Sequence, residues 1–113
     1  MGTRLLALAL LAGTILPAWT RESPALELFT RADKGDCIAC HQLPPGAGPT
    51  TRSDLGPALT GTRMRELGKP KLRAAIEDPT VANPATVMPP YGRHRILEPG
   101  EISRLVDFLH ALP

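Results

Sequence analysis

Apolar positions along the chain come in short stripes separated by long stretches with no period. Residues 5–16, LLALALLAGTIL, form a continuous apolar run behind one cation, Arg4, and stop at Pro17. A membrane-crossing helix needs about 20 apolar residues. The run therefore predicts a secretory signal over residues 1–20, cleaved near Ala18 or Thr20, with no stable membrane insertion afterwards. Leu16 and Trp19 make an imperfect small-residue exit, so an uncleaved anchor is the alternative.

Residues 21–113 read as one domain. Ser23 is a good N-cap and Pro24 a good first helical residue, and Leu26, Phe29 and Ala32 recur at helical spacing before Gly35 supplies a stop. Residues 42–62, QLPPGAGPTTRSDLGPALTGT, have no period and predict a long functional loop. KPKLRAAIEDP predicts a second short helix with Leu72, Ala75 and Ile76 on one face, ended by Asp78-Pro79. TVANPATVMPPYGRH is again irregular. From Pro99 the pattern is clearest: Ile102, Leu105, Val106, Leu109 and Leu112 fall on one stripe, while Glu101, Arg104 and Asp107 point away. No strand pair or repeat is visible, so the prediction is a small all-α domain with long connections.

Composition changes this picture in one respect. The chain of 113 residues has thirteen prolines and only 4% aromatic residues, and a domain this small is marginal on its own core and often needs a metal or cofactor. Something besides regular elements should fill its middle. Removing residues 1–20 takes away Arg4 and no acid, which lowers the formal charge from +2 to +1; nucleic acid is not indicated.

Both cysteines lie in KGDCIACHQLPPG. A bridge between residues three apart would close a tiny loop and stabilise little. Cys37-Ile38-Ala39-Cys40-His41 is instead the C-x-x-C-H arrangement of c-type haem attachment, in which two thiols add to the haem vinyl groups and the next imidazole meets the iron. A zinc site would need two more ligands, and only His94 and His110 remain, at unrelated spacing. A thioredoxin-like pair would need a βαβ context.

His41 then needs an acceptor for its second ring nitrogen, and the Gly56-Pro57 turn in LGPAL offers the Pro57 carbonyl. The opposite axial ligand must come from farther down the chain. Met88, in a proline-stiffened loop, is the first candidate, with Met64 and His94 as alternatives. A His/Met pair raises the reduction potential and fills both axial positions. Arg63, Arg65, Lys69, Lys71 and Arg73, with Arg93 and Arg95 near Met88, read singly as a solvated face and together as a surface able to steer an acidic partner.

CIACH, LGPAL, VMPPYG and the C-terminal helix ending LVDFLHAL resemble a monohaem class I cytochrome c over the whole of residues 21–113. KGDCIACHQLP, DLGPAL, EDPTVANPATVMPPYG and ILEPGEISRLVDFLHAL are more narrowly similar to the SoxX subunit of the SoxAX cytochromes of thiosulfate oxidation. The resemblance implies a class I cytochrome c-like fold wrapped around one covalent haem c, held by Cys37, Cys40, His41 and Met88. It also implies a periplasmic heterodimer with a SoxA-like cytochrome subunit, whose haem and active cysteine conjugate thiosulfate to the carrier cysteine of a SoxYZ-like protein. This chain would pass the released electrons to a small soluble cytochrome c. It would have no catalytic residue of its own within a complex that has L-cysteine S-thiosulfotransferase activity. Glu98-Pro99 departs from the Ser/Thr helix cap usual in the family. A free-standing carrier cytochrome and a non-haem metal-binding module are the competing readings.

Overall fold

Ser23 opens the first helix of the computed structural model, which describes residues 23–113; the expected secretory segment lies outside the described residues. Its Oγ accepts from the Leu26 N–H at 3.1 Å, and Pro24 occupies the first turn of α1 (Pro24–Thr30). The buried stripe is Ala25, Leu28 and Phe29. Ala32, expected on that stripe, is exposed beyond the helix end. Thr30 Oγ1 bonds back to the Leu26 carbonyl at 3.0 Å, and Arg31 turns to extended backbone with its guanidinium on Asp33. The chain then folds back, and the Gly35 N–H donates to the Leu28 carbonyl at 3.1 Å.

A single 3-10 turn, Cys37–Ala39, follows. After a long loop come α2 (Gly61–Leu67), α3 (Lys69–Glu77) and α4 (Pro99–His110). Helix α2 falls partly within the segment expected to be loop. Thr60 caps it, but it starts on a glycine and buries only one large side chain, Met64, so no stripe announces it. Gly68, at φ 77° and ψ 156°, separates α2 from α3 in a conformation open essentially to glycine alone. No strand occurs among the described residues. No described helix is long and apolar enough to cross a membrane.

These helices have 7, 7, 9 and 12 residues, and in isolation such lengths are marginal in water. Packing holds them. Helix α4 is the axis, with α1, α2 and α3 all packed against it. It buries Ile102, Leu105, Val106 and Leu109, followed by Leu112 just past its end. Each fully buried side chain of this size contributes ~1.5–3 kcal/mol. Phe29 and Phe108 join α1 to α4 as a tilted pair with ring centroids 6.1 Å apart.

Glu101 does not simply face water. Its Oε2 accepts from the Glu98 N–H at 2.9 Å and its Oε1 pairs with Lys34 at 2.9 Å, so the carboxylate supplies the cap that Glu98-Pro99 lacks in hydroxyl form. It also ties the segment entering the 3-10 turn to α4. The Glu98 N–H, then Lys34, hold this carboxyl below its ordinary range. A lowered carboxyl pKa stabilises the fold above the unfolded value and loses that stability as pH falls through the folded one. Glu101→Gln should therefore cost about 1 kcal/mol at pH 7. In urea denaturation the gap to wild type should close as pH drops through the carboxylate range; an equal gap at pH 3 and pH 7 would contradict the assignment.

Candidate functional site

Gly35 and Asp36 set the direction of the cysteine segment. A Cβ on Gly35 would sit 2.7 Å from the Leu28 carbonyl oxygen and 2.9 Å from Cys37 Sγ, so only glycine lets Cys37 lie against the end of α1. Asp36 follows in the left-handed region at φ 44°, where short polar side chains are tolerated. The Cys40 and His41 N–H groups then both donate to the Cys37 carbonyl, at 3.1 and 2.8 Å. One tight turn thus carries both thiols and the imidazole.

His41 Nδ1 lies 2.7 Å from the Pro57 carbonyl oxygen. A carbonyl only accepts, so Nδ1 carries the proton and Nε2 presents a lone pair. The intervening loop is held by its own bonds: Gly56 N–H to the Cys40 carbonyl at 2.9 Å, Leu59 N–H to the Gln42 carbonyl at 2.9 Å, and Gln42 Nε2 to the Ser53 carbonyl at 2.9 Å. Gly56 lies directly on the ring. A Cβ there would be 2.6 Å from His41 Nδ1 and 2.8 Å from Nε2.

Cys37, Cys40, His41, Pro57, Met64 and Met88 all line one cavity of about 280 Å³. Its walls are mainly apolar and come from every helix, with Phe29 from α1, Leu72 and Ile76 from α3, and Leu105 and Leu109 from α4. Ala75, expected in the α3 core stripe, is exposed on this wall.

Met88 is partly buried against the core although no helix carries it. Side-chain turns hold its loop, with Thr80 N–H on Asp78 Oδ1 at 3.1 Å, Ala85 N–H on Asn83 Oδ1 at 3.1 Å, and Met88 N–H on Thr86 Oγ1 at 3.2 Å. Beyond it, Gly92 and Arg93 N–H groups close on the Glu77 carbonyl at 3.1 and 3.0 Å. Met64 reaches the same cavity but is a core side chain, 2% exposed. His94 is exposed in a turn and does not line the cavity.

No disulfide joins Cys37 and Cys40. Burial pushes the Cys37 thiol up to about 12, so it is neutral at physiological pH, whereas a dithiol redox centre needs a lowered thiol pKa. Burial likewise pushes the Tyr91 phenol up to about 12, with the cysteines and Asp36 adding to the shift. No three His, Cys, Asp or Glu side chains gather as metal ligands among the described residues, so a zinc site lacks its ligand set. The donors present are two cysteine sulfurs, one imidazole and two thioethers on an apolar wall. They fit a flat apolar macrocycle carrying iron better than a bare ion.

The basic residues are mostly committed within the molecule. Arg65 donates to the Leu112 carbonyl, Lys69 pairs with Asp107, Arg73 with Glu77, and Arg93 with Asp78. The chain alone gave no role on this wall to Gly56, Tyr91 or Arg63. The Gly-Pro turn contains Gly56 and the cluster VMPPYG contains Tyr91, while nothing set Arg63 apart from the rest of the basic run. No protein-family model matches the chain, and no curated protein matches it.

Gly56→Ala should push the His41 ring off the Pro57 carbonyl and destabilise the fold by about 1–3 kcal/mol through overpacking. Denaturant melts measure the cost, and the His41 Nδ1–H proton should exchange faster with solvent once it loses the Pro57 carbonyl. Unchanged stability and proton exchange would show that the glycine is not required.

Proposed function

We propose that the chain is an exported monohaem c-type cytochrome, a SoxX-like electron-transfer subunit of a thiosulfate-oxidising complex. The observation that carries the haem reading is the convergence of Cys37, Cys40, a His41 imidazole with Nε2 free, and Met88 on one apolar cavity. Cys37 and Cys40 would hold the haem covalently, with His41 and Met88 as its axial ligands. Bound there, haem supplies a one-electron iron couple.

The rest of the chemistry belongs to the chain. The Pro57 carbonyl keeps the His41 proton on Nδ1, fixes the ring and raises the basicity of Nε2. A thioether at Met88 favours the reduced state, and the apolar wall keeps water out. His41 and Met88 together would leave the iron no open position for a substrate, which suits an electron carrier without a catalytic residue of its own. The wider assignment rests on the resemblance of DLGPAL, EDPTVANPATVMPPYG and their flanking segments. It names a SoxA-like cytochrome as partner subunit, a SoxYZ-like carrier reached through the complex, a small soluble cytochrome c as acceptor and the periplasm as location.

The ligand assignment is tested by the weak near-infrared sulfur-to-iron band of the oxidised protein. Met88→Ala should abolish the band, keep the covalent haem and lower the potential. Met64→Ala should keep the band and cost ~2–5 kcal/mol of stability as a core truncation. Loss of the band in Met64→Ala, or its absence from wild type, would move the ligand elsewhere.

The subunit assignment predicts co-elution with a second cytochrome from a native periplasmic extract. A lone haem-bearing monomer would instead make the chain a free-standing carrier.

A further inference from the structure

We infer that α2 is a hinged wall of the cavity and that Leu112 and Pro113 form its latch, whatever group fills the space. Helix α2 supplies Arg63, Met64 and Leu67 to the wall, yet it is the helix least committed to the core. It buries one large side chain, Met64, where α3 buries Leu72 and Ile76. Helix α3 is further tied to α4 by Lys69 on Asp107 and Arg73 on Ser103, and at its end the Glu77 carbonyl accepts from Gly92 and Arg93. Among the described residues no side-chain bond ties α2 to α3 or to the helical residues of α4.

What fastens α2 lies just past α4. The Gly61 N–H donates to the Pro113 carbonyl at 3.0 Å, and Arg65 Nη1 donates to the Leu112 carbonyl at 2.7 Å, a charge-assisted bond. All four groups meet at one point: a Cβ on Gly61 would collide with both carbonyl oxygens and with Arg65 Nη1. The Leu112 side chain is buried in the core, so these carbonyls are anchored to the same packing that holds α4. At its other end α2 is joined to α3 through Gly68 alone, a residue free to rotate without side-chain cost. Releasing the two bonds and withdrawing Met64 would open the cavity on its α2 side while α1 and α3 stay packed on α4.

The test is amide hydrogen exchange of the full chain, residue by residue, in low concentrations of urea. In wild type the α2 amides should exchange through a local opening with little urea dependence, and those of Leu105 and Val106 in α4 through global unfolding with a strong one. Arg65→Ala, at an exposed position where folding is not at stake, should speed α2 exchange by about tenfold. Phe108→Leu, which weakens the contact of α4 with α1, should speed α4 exchange and leave α2 unchanged. Equal acceleration of α2 in both variants would show that α2 opens only with the whole fold, and would overturn the hinge. An α2 rate unchanged in Arg65→Ala would overturn the latch.

Discussion

The hydrogen bond from His41 Nδ1 to the Pro57 carbonyl, 2.7 Å long, links the cysteine turn to the far end of a loop with no regular structure. It sets the tautomer of the ring, and with it the one nitrogen lone pair that faces outward from this contact. The loop bonds from Gly56 to Cys40 and from Leu59 to Gln42 work in the same direction, placing the carbonyl where the imidazole needs it. Gly56 is the steric condition for this arrangement, because any side chain there would occupy the ring's space.

A second constraint is the cavity itself. The four short helices among the described residues bury one row of side chains on α4 and leave a space whose wall includes cysteine sulfurs, thioethers and an imidazole. Phe29, Leu72, Ile76, Leu105 and Leu109 serve both the core and this wall. A group filling the cavity would therefore complete the core and the site together, which is how a domain with so few aromatic residues can be stable. Ion pairs across the surface contribute little beside this. The half-buried Lys34–Glu101 pair matters more through what it connects, namely the entry to the cysteine turn and the start of α4.

How much of this could be read from the chain depended on how strongly each element was patterned. Helix α4 has a full apolar stripe and appears as expected, and α3 does as well, ended at Asp78 as Asp-Pro implies. Helix α1 was visible through Ser23 and Pro24, but its end was not, because Arg31 and Thr30 compete for the backbone through side-chain bonds that a periodicity cannot show. Helix α2 buries one large side chain in seven residues and leaves no periodic trace. The thiols, the imidazole and the Pro57 carbonyl were legible because they lie close together in the chain. The cavity, the place of Arg63 on its wall and the contact of Gly56 with the ring arise only when segments distant in sequence meet.

The central claim is that Cys37 and Cys40 carry a haem covalently. It is tested most directly by the intact mass of the protein, expressed as the full chain in cells that mature c-type cytochromes and denatured in the presence of a thiol-alkylating reagent. The account predicts a polypeptide heavier by one haem, with neither cysteine alkylated. A chain without added mass, alkylated at both Cys37 and Cys40, would contradict it.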